Sequence, residues 1–184
     1  MIRFFDVLFS IFGIIILFPI FVILLIAGYF DTGSPIFCQE RMGKNKTPFN
    51  LFKFRSMNIN AQSVATHLAN HSDVTNYGKF IRKTKLDEIP QLYNVLIGNM
   101  SFVGPRPNLF NQKELIEERD KLGVYKLTPG ITGLSQINKI DMSDPKRLAH
   151  SDEKMINNLS VLNYFIYLIK TISGNGFGDR INNK

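Results

Sequence analysis

At 184 residues, 45% of them hydrophobic, the chain has material for one ordinary domain, or for one domain and an appendage. The formal charge of +7 favours anionic partners: nucleic acid, an acidic membrane surface or a phosphorylated substrate. The single cysteine, Cys38, excludes an internal disulfide, and no Cys/His cluster has the spacing of a zinc site.

From Val7 to Phe30 no side chain is charged, and the run is dense in Ile, Leu, Phe and Val. As a straight helix it extends roughly 36 Å, enough to cross a hydrocarbon core of about 30 Å. A cleaved signal peptide is disfavoured, because the apolar stretch is too long and no small-residue site follows "LLIAGYFD". A spanning helix would place the basic segment after residue 40 in the cytoplasm. Pro19 opens another route, since a helix broken there can enter and leave the same leaflet.

Past Asp31 the composition becomes that of a soluble domain, with "DTGSP" as the boundary. In "CQERMGKNKTPFNLFKFRSM" five cations (Arg41, Lys44, Lys46, Lys53, Arg55) interleave with Phe49, Leu51, Phe52 and Phe54, and "MGKNKTP" reads as a turn between two short strands. The alternation of Asn50, Phe52 and Phe54 with Leu51, Lys53 and Arg55 predicts a strand buried on one face. Residues 60–70 look helical.

Next comes "RKTKLDEIPQLYNVLIGNMSFVGPRP", residues 82–107. Ile89, Leu92, Val95 and Leu96 recur at helical spacing and Gly98 is a natural stop, so a short helix is predicted to begin near Asp87. Pro90 is tolerated in the first turn. Asp87 and Glu88 then sit at a helix N-terminus behind Arg82, Lys83 and Lys85, an environment that keeps carboxylates ionised. An ionised Asp suits nucleophilic attack on phosphorus, and an adjacent carboxylate can hold Mg²⁺. A carboxylate in that position is also the common helix cap. After a strand-like "MSFV", Pro105 and Pro107 stiffen the backbone around Arg106, whose planar guanidinium fits phosphate oxygens. "TPGITG" reads as a Gly-rich turn.

Taken together, "RMGKNKTPF", "KFRSM", "GKFIRKTKLDEIPQLYNVLIGNMSFVGPRP" and "LTPGITGLSQIN", behind an apolar N-terminus, resemble the bacterial sugar transferases that are small monotopic phosphoglycosyl transferases. The resemblance runs from Arg3 to about Thr171. It implies transfer of a sugar 1-phosphate from a UDP-sugar to undecaprenyl phosphate in O-antigen, capsule or glycoprotein glycan assembly. By the same resemblance Asp87 is the nucleophile and Glu88, with Asp87, the Mg²⁺ site. Arg82 and Arg106 then bind phosphate, with Lys53 and Arg55 as fainter candidates, and Pro19 marks the break of a re-entrant helix. The sequence departs from the family pattern at Phe18, where a serine is usual, at Asp73, at Leu134, and after "QIN". There an expected Arg is missing and Lys139 or Arg147 are the possible substitutes.

"NQKELIEERDKLGVYK" predicts a charged, mostly exposed helix. The tail "VLNYFIYLIKTI" is too short to span and is either a core helix or an interfacial one. The expected fold is therefore α+β and mainly helical. The resemblance implies that residues 1–30 form a re-entrant membrane helix and residues 31–184 a catalytic domain at the cytoplasmic face of the bacterial inner membrane, with interfacial helices. The expected partners are Mg²⁺, a UDP-sugar, undecaprenyl phosphate and the membrane, without nucleic acid. The competing reading is a membrane-tethered protein that binds anionic lipid or a partner without catalysis.

Overall fold

The computed structural model describes residues 1–61 and 70–175, so the helix predicted over 60–70 lies almost wholly outside the described residues. The described chain is mainly helical, with two small two-stranded sheets. Its first element is one long helix, α1 (Ile2–Thr32), ended by Gly33 in the left-handed region at φ 74°. Pro19 lies inside it, so the predicted interruption is not a stretch of non-helical backbone. What Pro19 does remove is the N–H that would reach the Ile15 carbonyl.

Both ends of α1 are fastened to the same domain. At the start, Arg3 donates to the carbonyls of Val95 and Leu96, in the last turn of α3 (Gln91–Ile97). There a cation meets the negative end of the helix, the Val95 carbonyl accepting from Gly98 N as well. Asp6 is buried, and its Oδ1 accepts from Ser101 Oγ at 3.0 Å, Phe102 N at 3.0 Å and Tyr164 OH at 2.9 Å. Near the other end Tyr77 OH donates to the Leu24 carbonyl at 2.9 Å and Thr75 Oγ1 to Asp31 at 2.7 Å. Leu24 joins Phe54 and Ile81 in one core cluster. The remaining face is apolar and open: Ile15, Ile16, Ile23 and Phe30 are all more than 60% exposed. By length and composition α1 could cross a membrane.

The burial of Asp6 sets up a first prediction. Asp6→Asn keeps an acceptor but loses the stronger bonds a carboxylate makes, so the cost should be about 1–2 kcal/mol. Chemical denaturation should show that loss together with faster proteolysis near the N-terminus. Unchanged stability would mean that the Asp6 contacts do not fasten the helix.

The predicted hairpin is present: β1 (Ile36–Met42) pairs antiparallel with β2 (Pro48–Phe54), with Phe37 opposite Lys53. Its burial differs from the one-faced expectation. Phe49 and Leu51 point into a core with Val95 and Met100, while Phe54, from the other face, meets Phe21 of α1 with ring centroids 5.2 Å apart. Buried Asn94 ties α3 to the hairpin by accepting from Phe52 N at 3.1 Å and donating to the Asn50 carbonyl at 2.7 Å.

Gly98 ends α3 in the left-handed region as predicted, and β3 (Ser101–Val103) follows. "TPGITG" is more than a turn, because Gly130–Thr132 forms β4, parallel to β3 with Ser101 opposite Gly130. Any side chain at Gly130 would collide with the Gly104 backbone, its Cβ falling 2.0 Å from Gly104 N. Close backbone approach therefore explains both glycines.

The charged segment forms α4 (Lys113–Lys121), but it is not wholly a surface helix, since Leu115 and Arg119 are buried. After the short α5 (Leu134–Ile137) come α6 (Pro145–Asn157) and α7 (Val161–Lys170). Helix α7 is a core helix on one face and open on the other. Tyr164 and Tyr167 face the core, Leu162 and Ile169 are exposed, and Phe165 packs on Phe5 of α1 with centroids 5.0 Å apart. Burial, reinforced by the Asp6 charge and hydrogen bond, pushes the Tyr164 phenol above its ordinary range.

Candidate active site

The segment around Asp87 is built differently from the prediction. Helix α2 (Asn76–Thr84), capped by Thr75 through Gly78 N, ends at Lys85 in the left-handed region at φ 59°. Leu86–Glu88 then form a 3₁₀ turn, and α3 begins only at Gln91 with Pro90 as its cap. Asp87 and Glu88 therefore lie in the tight turn ahead of the helix. The left-handed Lys85 reverses the chain so that Asp87 is 7% exposed.

Glu88 accepts from Arg106 Nη2 at 3.0 Å, and the two side chains are 10% and 18% exposed. This pair joins the "DE" and "GPRP" motifs across a cavity of about 210 Å³, lined also by Lys85, Thr132, Gln136 and Leu17 of α1. Burial pulls the Lys85 ammonium below the ordinary lysine range; Glu88 opposes that shift and Arg106 adds to it.

Arg82 donates from Nε to Ser56 Oγ at 2.8 Å, while its buried Nη1 has no acceptor. Lys53 shares a small cleft with Arg106, Arg41 and Gln91. The other candidates lie elsewhere. Arg55 donates to the Ser34 carbonyl at 2.8 Å and stacks on Phe37, holding the exit from α1. Lys139 and Arg147 are exposed, the latter in the first turn of α6, and neither lines the cavity. Sequence reasoning passed over Gln136 and Gln91, and took Arg41 and Lys85 only as parts of basic runs. All of them are polar groups drawn in by long-range packing, for which local spacing carries little signal.

A second cavity, about 450 Å³, lies between α1 and α3 and is lined without a charged residue. Ile14, Leu17, Phe18 and Phe21 form its helix wall, at the i, i+3, i+4, i+7 spacing of one face. It shares Leu17, Ile89 and Leu92 with the Glu88 cavity, so the apolar and charged spaces adjoin.

No group of three or more His, Cys, Asp or Glu residues able to hold a metal occurs among the described residues. Two neighbouring carboxylates still fit Mg²⁺, which is commonly held by one or two carboxylates together with substrate phosphates.

A buried acid, Asp87, and its neighbour Glu88 thus stand with cations beside an apolar groove, under a helix long and apolar enough to cross a membrane. The chain belongs to the bacterial sugar transferase family, whose pattern matches residues 1–176. It is 35% identical over 92% of its length to the undecaprenyl-phosphate galactose phosphotransferase of Salmonella typhimurium, covering 39% of that protein. It is also 41% identical, over 72% of its length, to the UDP-glucose:undecaprenyl-phosphate glucose-1-phosphate transferase of Klebsiella pneumoniae, covering 30% of it. A putative undecaprenyl-phosphate N-acetylgalactosaminyl 1-phosphate transferase of Bacillus subtilis is 43% identical over 60% of the chain and is covered to 65%. The chain thus spans about two fifths of the length of several curated relatives.

Proposed function

We propose that the protein transfers a sugar 1-phosphate from a UDP-sugar to undecaprenyl phosphate, with UMP as the other product. The observation that carries this reading is the meeting of Glu88, next to the buried Asp87, with Arg106 and Lys85 beside an apolar groove. A carboxylate oxygen of Asp87 attacks the sugar-bearing phosphorus of the donor. The P–O bond to UMP breaks, UMP leaves with the electron pair, and an aspartyl phosphosugar remains. An oxygen of the carrier phosphate then attacks the same phosphorus and displaces Asp87, forming the diphosphate link. Splitting the reaction spares a water-soluble donor and a lipid acceptor from occupying the site together. Arg106, Lys85 and Arg82 supply positive charge for the phosphoryl oxygens. Mg²⁺, held by Glu88 with Asp87, would neutralise phosphate charge.

The attachment of both ends of α1 to one domain supports a re-entrant, monotopic arrangement, with its open apolar face in the lipid and the domain at the cytoplasmic face of the inner membrane. The apolar groove receives the proximal part of the undecaprenyl chain. Glycan assembly, of O-antigen, capsule or glycoprotein type, is the pathway class.

Purified protein in detergent with Mg²⁺, undecaprenyl phosphate and a panel of UDP-sugars should release UMP with at least one donor. Folded, lipid-bound protein that releases none would sink the reading. Ile14→Trp, which fills the groove, should raise the KM for undecaprenyl phosphate about tenfold, a loss of about 1.4 kcal/mol. Ile15→Trp, on the exposed face, serves as the control and should not. Equal values in the two variants would move the chain out of the groove.

A further inference from the structure

We infer that Gln91 is a substrate-contacting residue: its side-chain amide, with Arg41 and Lys53, forms an oxyanion subsite for the phosphoryl group carried on Asp87. This rests on the covalent reading above. Gln91 is 2% exposed, and its Nε2 has no hydrogen-bond partner. An amide N–H buried without an acceptor is costly, so such a group persists in few native positions without cause.

None of the groups lining its cleft accepts from it. The cleft around it is lined by Arg41, Lys53, Arg106, Leu51 and Pro107. Arginine and lysine side chains only donate, Leu51 is apolar, and the Pro107 carbonyl already accepts from Arg41 Nη1 at 3.2 Å. A buried donor amide with three cations around it is suited to receive an oxyanion. The space is about 10 Å³, close to that of one water-sized atom. It therefore admits a phosphoryl oxygen and excludes a nucleoside.

The backbone identifies which phosphoryl group this is. Leu86–Glu88 is a 3₁₀ turn, Ile89 and Pro90 have right-handed helical angles, and α3 follows directly. Asp87 and Gln91 are thus four residues apart on nearly continuous helical backbone, which puts them on one face as neighbours. Both are buried. A phosphoryl group bonded to the Asp87 carboxylate directs an oxygen toward the Gln91 amide. Lys53 reaches the same cleft because it follows Phe49 and Leu51 on the inner face of β2.

Two substitutions and two readouts test the subsite. Gln91→Met removes the unpartnered donor at similar volume. Its melting temperature should equal or exceed the native value, while inorganic phosphate, which should raise the native melting temperature, should no longer do so. The rate constant for labelling Asp87 from the UDP-sugar should fall about 10²–10³-fold, the loss typical of one oxyanion donor. Gln91→Glu, with a negative charge in the cleft, should label as slowly or more slowly. A Met variant that melts lower yet labels at the native rate would make Gln91 a structural residue and overturn the inference, as would a Glu variant that labels at the native rate. If phosphate stabilises the native protein but not the Met variant while native Asp87 never labels, the subsite stands and the covalent reading falls.

Discussion

Asp87→Asn should abolish UMP release, with a fall of about 10⁴-fold or more in turnover, the scale on which loss of a nucleophile is felt. The substitution preserves shape. Asp87 is 7% exposed in a 3₁₀ turn whose geometry comes from the left-handed Lys85 and from Pro90, so the variant should fold and bind donor normally. What Asn lacks is the anionic oxygen that forms the bond to phosphorus. Mass spectrometry of the native protein, quenched after exposure to its UDP-sugar, should show an added phosphosugar on the peptide containing Asp87, absent from the variant. A general base at Asp87 would also make Asn inactive, but no phosphosugar would appear on the native protein. The adduct therefore separates the two mechanisms. Retention of more than a tenth of native turnover by Asn would remove Asp87 from the chemistry altogether.

How far these arguments could be read from sequence depends on the range of the interactions. The apolar helix, the hairpin around "MGKNKTP", the stop at Gly98 and the strand at Ser101 are local patterns, and each stands where residue spacing placed it. The start of the helix near Asp87 was misread because Lys85, a non-glycine, adopts φ 59° and delays α3 to Gln91, a choice visible only once α2 packs ahead of it. "TPGITG" was taken for a turn because a three-residue parallel strand has almost no periodicity, and its partner lies some thirty residues earlier. Glu88 and Arg106, which the structure brings together, were legible through a contiguous motif. Gln91 fell inside that motif and was passed over, since the cations around it come from β1, β2 and the loop after β3. Charge alone did not tell Arg55, which anchors the exit of α1, from Lys53, which reaches the cleft, although they are two residues apart.

The same blindness to long-range pairing hid Arg119, which composition assigned to a solvated helix face, and its exchange should produce the largest stability effect in the molecule. Arg119 and Asp152 are each 1% exposed and lie 2.7 Å apart, Nη2 to Oδ2, with Nε at 3.0 Å from the same oxygen. Ser135 Oγ donates to the other Asp152 oxygen at 2.7 Å. On its far side Arg119 Nη1 donates at 2.9 Å to both the Arg106 carbonyl and Asn108 Oδ1, and Tyr125 OH donates to that same Asn108 oxygen at 3.0 Å. The pair thus holds the backbone of the arginine that bonds Glu88. Asp152→Ala leaves a buried guanidinium uncompensated, which costs about 3–5 kcal/mol. For a chain of this size the melting temperature should fall by roughly 10 °C. Arg119→Met with Asp152→Leu removes both charges and should recover much of that stability. It should not recover activity, because the Arg106 carbonyl has lost its donor and the guanidinium facing Glu88 is no longer aimed. The expected signature is a near-native melting temperature with kcat/KM reduced about tenfold or more, a loss of at least about 1.4 kcal/mol in transition-state stabilisation. Native kcat/KM in a stable double variant would confine Arg119 to holding the fold, whereas a single Asp152→Ala variant that melts like the native protein would show that the buried pair contributes nothing to stability.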